Sequence, residues 1–124
     1  MDTPRLLSAT TLMGDRVVNS TGEDLGKLEE LMLDIDNGCV GYAVLSFGGL
    51  LGVGDKLFAI PWDAMRLDTD RKAFILDIDR QRLENAPGFD KNNWPQSVDR
   101  DWMLEVYRFY GSEPYWVERE RSRR

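Results

Sequence analysis

Apolar and polar positions alternate along residues 25–36, where Leu31, Leu33 and Ile35 interleave with Glu30, Met32, Asp34 and Asp36. A period of two predicts a strand with one buried face, because successive side chains of an extended chain point to opposite sides. Asn37-Gly38 follows, a dipeptide suited to the positive φ of a type I′ turn, and a second apolar run starts at Val40. If those two residues form the whole loop, Ile35 faces Val40, Leu33 faces Tyr42 and Leu31 faces Val44; a longer loop with a bulge shifts the pairs by one. The opposite face then carries Met32, Ala43, Leu45 and Phe47, too apolar for water, so another element or another chain must cover it.

Shorter strands flank this hairpin. Residues 16–19 read as a strand and 20–24 as a turn. Beyond Phe47, glycines at 48, 49, 52 and 54 predict a loop between strands, and residues 56–60 form a strand closed by Pro61-Trp62, where the chain changes direction. Residues 65–67 continue it, 68–71 turn, and 73–78 are again strand-like. Asp79 caps a single helical turn over 80–85, stopped by Pro87-Gly88, and 86–98 read as a wrapping loop. Asp99 is placed to cap a helix over 100–110, in which Trp102, Met103, Val106, Phe109 and Tyr110 share one stripe that should dock on the sheet, and Gly111 ends it. The expected organisation is a β domain over 1–80, a loop and packed helix over 81–112, and a flexible tail over 113–124.

A chain of 124 residues with 42% hydrophobic and 31% charged side chains is long enough for one core and lies in the ordinary globular range. Its formal charge of −6 argues against general nucleic-acid binding and against anionic membrane surfaces. No apolar run reaches the ~20 residues that span a bilayer, and residues 1–5 show no leader pattern, so membrane insertion is not expected and a cytoplasmic location is the default. The single cysteine, Cys39, excludes an intrachain disulfide and reads as an unreactive strand residue.

Histidine is absent, which rules out Ser-His-Asp and Cys-His arrangements within the chain and leaves a poor ligand set for zinc. The acids of 34–38 resemble the start of a calcium loop, yet the sixth and twelfth positions hold Cys39 and Leu45 where glycine and glutamate are required. Leu-Asp-Ile-Asp occurs at 33–36 and again at 76–79, and strand alternation with a turn acid explains both copies. Gly49 to Gly54 has phosphate-loop spacing, but Asp55-Lys56 stands where Lys-Ser/Thr should follow. No catalytic group, metal site or cofactor is expected, and the chain reads as not an enzyme.

The ordered segments 12–19, 22–28, 31–36, 40–44, 48–56 and 60–62 together resemble the PRC-barrel domain, the barrel shared by the cytoplasmic part of the photosynthetic reaction centre H subunit and by a ribosome maturation factor. The resemblance runs from about Leu6 to Asp79 and implies a mainly β fold, a small PRC-type β-barrel, here followed by a short helical turn and a C-terminal amphipathic α-helix. It supplies no catalytic residues and implies an assembly, docking or electron-transfer-support module.

The expected function is therefore non-enzymatic protein interaction with self-association, a homodimer being favoured, through Phe47, Leu50, Leu51 and Val53 around the glycine loop. The alternative is a ligand-binding barrel with Tyr42 and Trp62 lining a pocket for an apolar or quinone-like molecule. Arg119, Arg121, Arg123 and Arg124 form a third candidate, a tail for an acidic partner or RNA, weakened by Glu118 and Glu120.

Overall fold

The computed structural model describes residues 4–47, 56–90, 93–95 and 99–117. A short helix, α1 (Ala9–Leu12), precedes β1 (Arg16–Val18), β2 (Asp24–Asp34), β3 (Cys39–Phe47) and β4 (Lys56–Ile60). A 3-10 turn (Trp62–Ala64) leads into β5 (Met65–Asp68) and β6 (Ala73–Leu76), followed by α2 (Arg80–Glu84), β7 (Gly88–Asp90) and α3 (Arg100–Phe109). All seven strands join one sheet in the order β5-β6-β1-β2-β3-β4-β7, antiparallel except where β1 meets β6.

The expected closed barrel is not what forms. β5 pairs with β6 and β7 with β4, and among the described residues no ladder joins β5 to β7, so the sheet keeps two edges. The two edge strands have four and three residues, too few for a long ladder across the gap. The sheet instead shares one core, in which Val17, Leu25, Leu45, Phe58, Met65 and Phe74 come from six different strands, and Leu12, Ile78, Leu83 and Ala86, none of them on a strand, complete it.

The central hairpin departs from the two-residue loop. Asp34 pairs with Cys39, leaving residues 35–38 as a four-residue loop. The amide of Gly38 donates to the Asp34 carbonyl at 2.8 Å, and the Asp34 carboxylate accepts from the Asn37 amide at 3.1 Å and from its Nδ2 at 2.8 Å. Only Gly38 of the turn pair has positive φ (67°), so a type I′ turn is excluded. Two register shifts follow, and Met32, not Leu33, stands opposite Tyr42. A slip of one residue reverses which face each side chain takes. Met32 consequently packs with Tyr42 and Val44 on the helix side, whereas Leu33 and Ile35 are 61% and 80% exposed.

Both faces of β3 and β4 are covered, which explains their unbroken apolar runs. Ala43, Leu45, Phe47, Phe58 and Ile60 enter the main core, while Tyr42, Val44, Leu57 and Ala59 meet Val106 and Tyr107 of α3. The Asp99 side chain accepts from the Trp102 amide at 3.0 Å to start α3, and Gly111, at φ +69°, ends it. The stripe of α3 therefore covers the Tyr42 and Val44 face of β3, while Ala43, Leu45 and Phe47, from the face expected to need cover, are buried in the main core.

Two further segments differ from expectation. The wrapping loop over 86–98 contains β7, which lies along β4 from Lys56 to Phe58. Residues 113–117, expected in a flexible tail, pack on α3 and the sheet beneath it: Tyr115 and Trp116 lie 6.1 and 5.6 Å from the Tyr107 ring. Arg119, Arg121, Arg123 and Arg124 fall outside the described residues.

One polar side chain, Asn19, is buried among the described residues, and each of its groups has a partner. Its Nδ2 donates to Glu23 Oε1 and the Ile78 carbonyl, and its Oδ1 accepts from Thr21 and the Glu23 amide, tying β1's end to the segment before α2.

Candidate interaction surface

Two surfaces expose apolar groups that the sheet has no internal use for. The first is a groove beside the edge strand β5. The Ser8 carbonyl accepts from the Thr11 amide at 3.1 Å and from its hydroxyl at 2.7 Å, forming α1, and Leu12 at its end is buried in the main core. That anchor brings the preceding Leu7 to line a groove of about 480 Å³ with Leu12, Trp62, Met65, Leu67 and Phe74. Arg5 and Arg66 also line it, and no acidic residue does. Trp62 packs edge-on against Phe74 at 5.8 Å yet stays 38% exposed, Leu7 is 49% exposed and Leu6 87%.

The second surface is the tip of the β2–β3 hairpin. β1 pairs with β2 only over residues 24–27, and β4 with β3 only over 43–47, so the hairpin projects beyond both neighbours. Leu33, Ile35 and Asp36 are exposed there. The tip is nevertheless fixed, because Tyr115 Oη donates to Asp34 Oδ2. That hydrogen bond, followed by those from Asn37, holds the Asp34 carboxyl below its ordinary value of 3.8. The geometry offers two shaped surfaces of different charge and, among the described residues, no group of three or more acidic or thiol side chains placed to hold a metal ion.

The family model for the PRC-barrel domain matches residues 4–83. The chain belongs to the PRC-barrel domain family. The match covers nearly two thirds of the 124 residues and takes in the groove, the hairpin tip and six of the seven strands. No curated protein matches the chain. No helix among the described residues of this PRC-barrel chain is long and apolar enough to cross a membrane.

The residues singled out from the sequence fall in different places on the PRC-barrel sheet. Phe47 is corrected from a contact residue to a core residue: it is 2% exposed, packs edge-on against Phe58 at 6.1 Å and lies under the Arg80 guanidinium at 5.0 Å. The alternation of β3 puts it on the same side as Leu45, facing the core. Leu50, Leu51 and Val53 lie outside the described residues. Tyr42 and Trp62 are not brought together. Tyr42 is buried on the helix side against Trp102 at 5.6 Å, whereas Trp62 meets Phe74 of the main core, so they do not line one pocket.

Sequence reasoning missed the groove and the tip. Adjacent leucines at 6 and 7, before a Ser-x-x-Thr start, were the available signal for the groove. For the tip the signal was an alternation that outruns the neighbouring strands, which only the pairing pattern makes visible.

Proposed function

We propose that this PRC-barrel chain is a non-enzymatic interaction module that self-associates, a homodimer in its simplest form, working in the cytoplasm. The observation that carries the reading is the pair Leu33 and Ile35, 61% and 80% exposed on a hairpin held in place by Tyr115. Burying one such side chain is worth roughly 1.5–3 kcal/mol, a gain that solvent contact forgoes and an interface recovers. The family membership supports a module role.

Sedimentation velocity over a range of concentrations tests it. The intact chain should sediment as an oligomer, and a Leu33→Ser, Ile35→Ser double variant should shift toward monomer with its fold retained. A companion variant, Leu50→Asp with Leu51→Asp, asks whether the glycine loop contributes. A wild-type chain that stays monomeric at every concentration ends the proposal.

A further inference from the structure

The two surfaces have complementary chemistry. The groove combines an apolar floor with Arg5 and Arg66, in a chain whose net charge is −6, and neither guanidinium forms an ion pair with a described residue. The hairpin tip presents two exposed aliphatic side chains and the exposed Asp36, whose carboxylate likewise has no ion-pair partner among the described residues. Asp34, the other acid of the tip, is already held by Tyr115 and Asn37. The tip therefore carries one unengaged anion beside its apolar groups, and the groove carries unengaged cations around an apolar floor.

Within one chain these surfaces do not meet. The groove lies at β5, the tip at the β2–β3 turn, and β6 and β1 stand between β5 and β2 in the sheet. We infer that the occupant of the groove is the hairpin tip of a second copy of this chain, with Leu33 and Ile35 on the apolar floor and Asp36 facing Arg66. This rests on the self-association reading and specifies its surfaces. Each molecule gives one tip and one groove, so two copies related by a two-fold axis make the contact twice, or copies add head to tail. A tip facing another tip is disfavoured, because it would set Asp36 against Asp36.

A charge exchange tests the pairing. Asp36→Arg and Arg66→Asp are surface changes, and thermal unfolding should confirm that each variant keeps its fold. Each alone places like charges across the contact and should weaken association at least about tenfold in sedimentation equilibrium. An equimolar mixture of the two variants should recover wild-type association. In the mixed pair the arginine introduced at position 36 of one molecule faces the aspartate introduced at position 66 of the other, and the unchanged Asp36 faces the unchanged Arg66. The recovery should diminish at high salt, as charge pairing at a rim does.

A mixture as dissociated as its components overturns the pairing, as does an Arg66→Asp variant that associates like wild type. If the wild-type chain associates but ignores both substitutions, the tip-and-groove contact is wrong and the self-association reading stands. If the wild-type chain is monomeric throughout, both fall.

Discussion

The phenol of Tyr107 donates a 2.5 Å hydrogen bond to the carbonyl of Gly41, 66 residues earlier in the chain. Gly41 is the residue skipped in the β2–β3 ladder, between Val40 opposite Leu33 and Tyr42 opposite Met32. A bulge leaves a backbone group without its ladder partner. The C-terminal helix supplies that partner and thereby locks its own docking to the bulge in the hairpin.

Replacing Tyr107 with Phe removes the donor and leaves the buried Gly41 carbonyl unpaired, which should cost about 1–2 kcal/mol in denaturant unfolding. The contrast is Tyr110, whose hydroxyl is buried with no hydrogen-bond partner among the described residues. Tyr110→Phe should therefore be neutral or stabilising. An unchanged stability of Tyr107→Phe would show that the hydroxyl of Tyr107 contributes nothing beyond its ring.

Alkaline titration probes the same two residues, and burial raises Tyr42 as well. Burial is the largest cause pushing both phenols well above the ordinary 10.0, with the charges of Tyr115 and Asp63 adding to it at Tyr107 and Arg82 opposing it at Tyr110. The unfolded chain ionises these groups near 10.0 and the folded chain does not, so their contribution to stability is complete below that pH and declines as pH rises above it. Tyrosinate absorbance should show two groups that ionise only together with unfolding; ionisation of every tyrosine near its ordinary value in the folded protein would contradict this.

Gly26 has φ +126°, and a Cβ there would stand 2.1 Å from the Ser46 carbonyl oxygen. Neither the backbone angle nor the neighbouring strand can yield cheaply, so Gly26→Ala should destabilise by at least about 2–3 kcal/mol. Gly38→Ala makes the comparison, since it has positive φ but nothing within 4 Å of its Cβ, and should cost only about 1 kcal/mol. Similar unfolding midpoints for the two variants would remove close approach as the reason for Gly26.

Asp34 reports whether the C-terminal segment holds the tip. Its carboxyl is kept below 3.8, chiefly by Tyr115, so the stability this adds is present above that pH and is lost as pH falls through the folded value. Tyr115→Phe should raise the Asp34 pKa toward 3.8 in a carboxyl-resolved NMR titration and loosen residues 35–38 in amide exchange. An unmoved titration would assign the depression to the hydrogen bonds from Asn37 and the Asp36 amide.

Much of the fold is legible in the chain because its signals are local. Residues 56–60 read as a strand and form β4, Asp79 and Asp99 cap helices as their side-chain chemistry dictates, and the stripe of Trp102, Met103 and Val106 faces the sheet. Order of segments sufficed for the family. The site was less legible: Phe47, expected at a surface, is in the core, because a Phe beside a glycine loop looks the same whether its strand points it inward or outward.

The sequence by itself determined six of the seven strands, the caps of α2 and α3, the lack of histidine chemistry and the PRC-barrel family, since alternation, capping residues and composition act over a few neighbours. Tertiary structure alone decided the bulge at Gly41, the open seam between β5 and β7, and the exposure of Leu33 and Ile35. Each depends on which strand stops first beside another, and on a tyrosine arriving from 66 residues away, quantities that no local pattern of side chains contains.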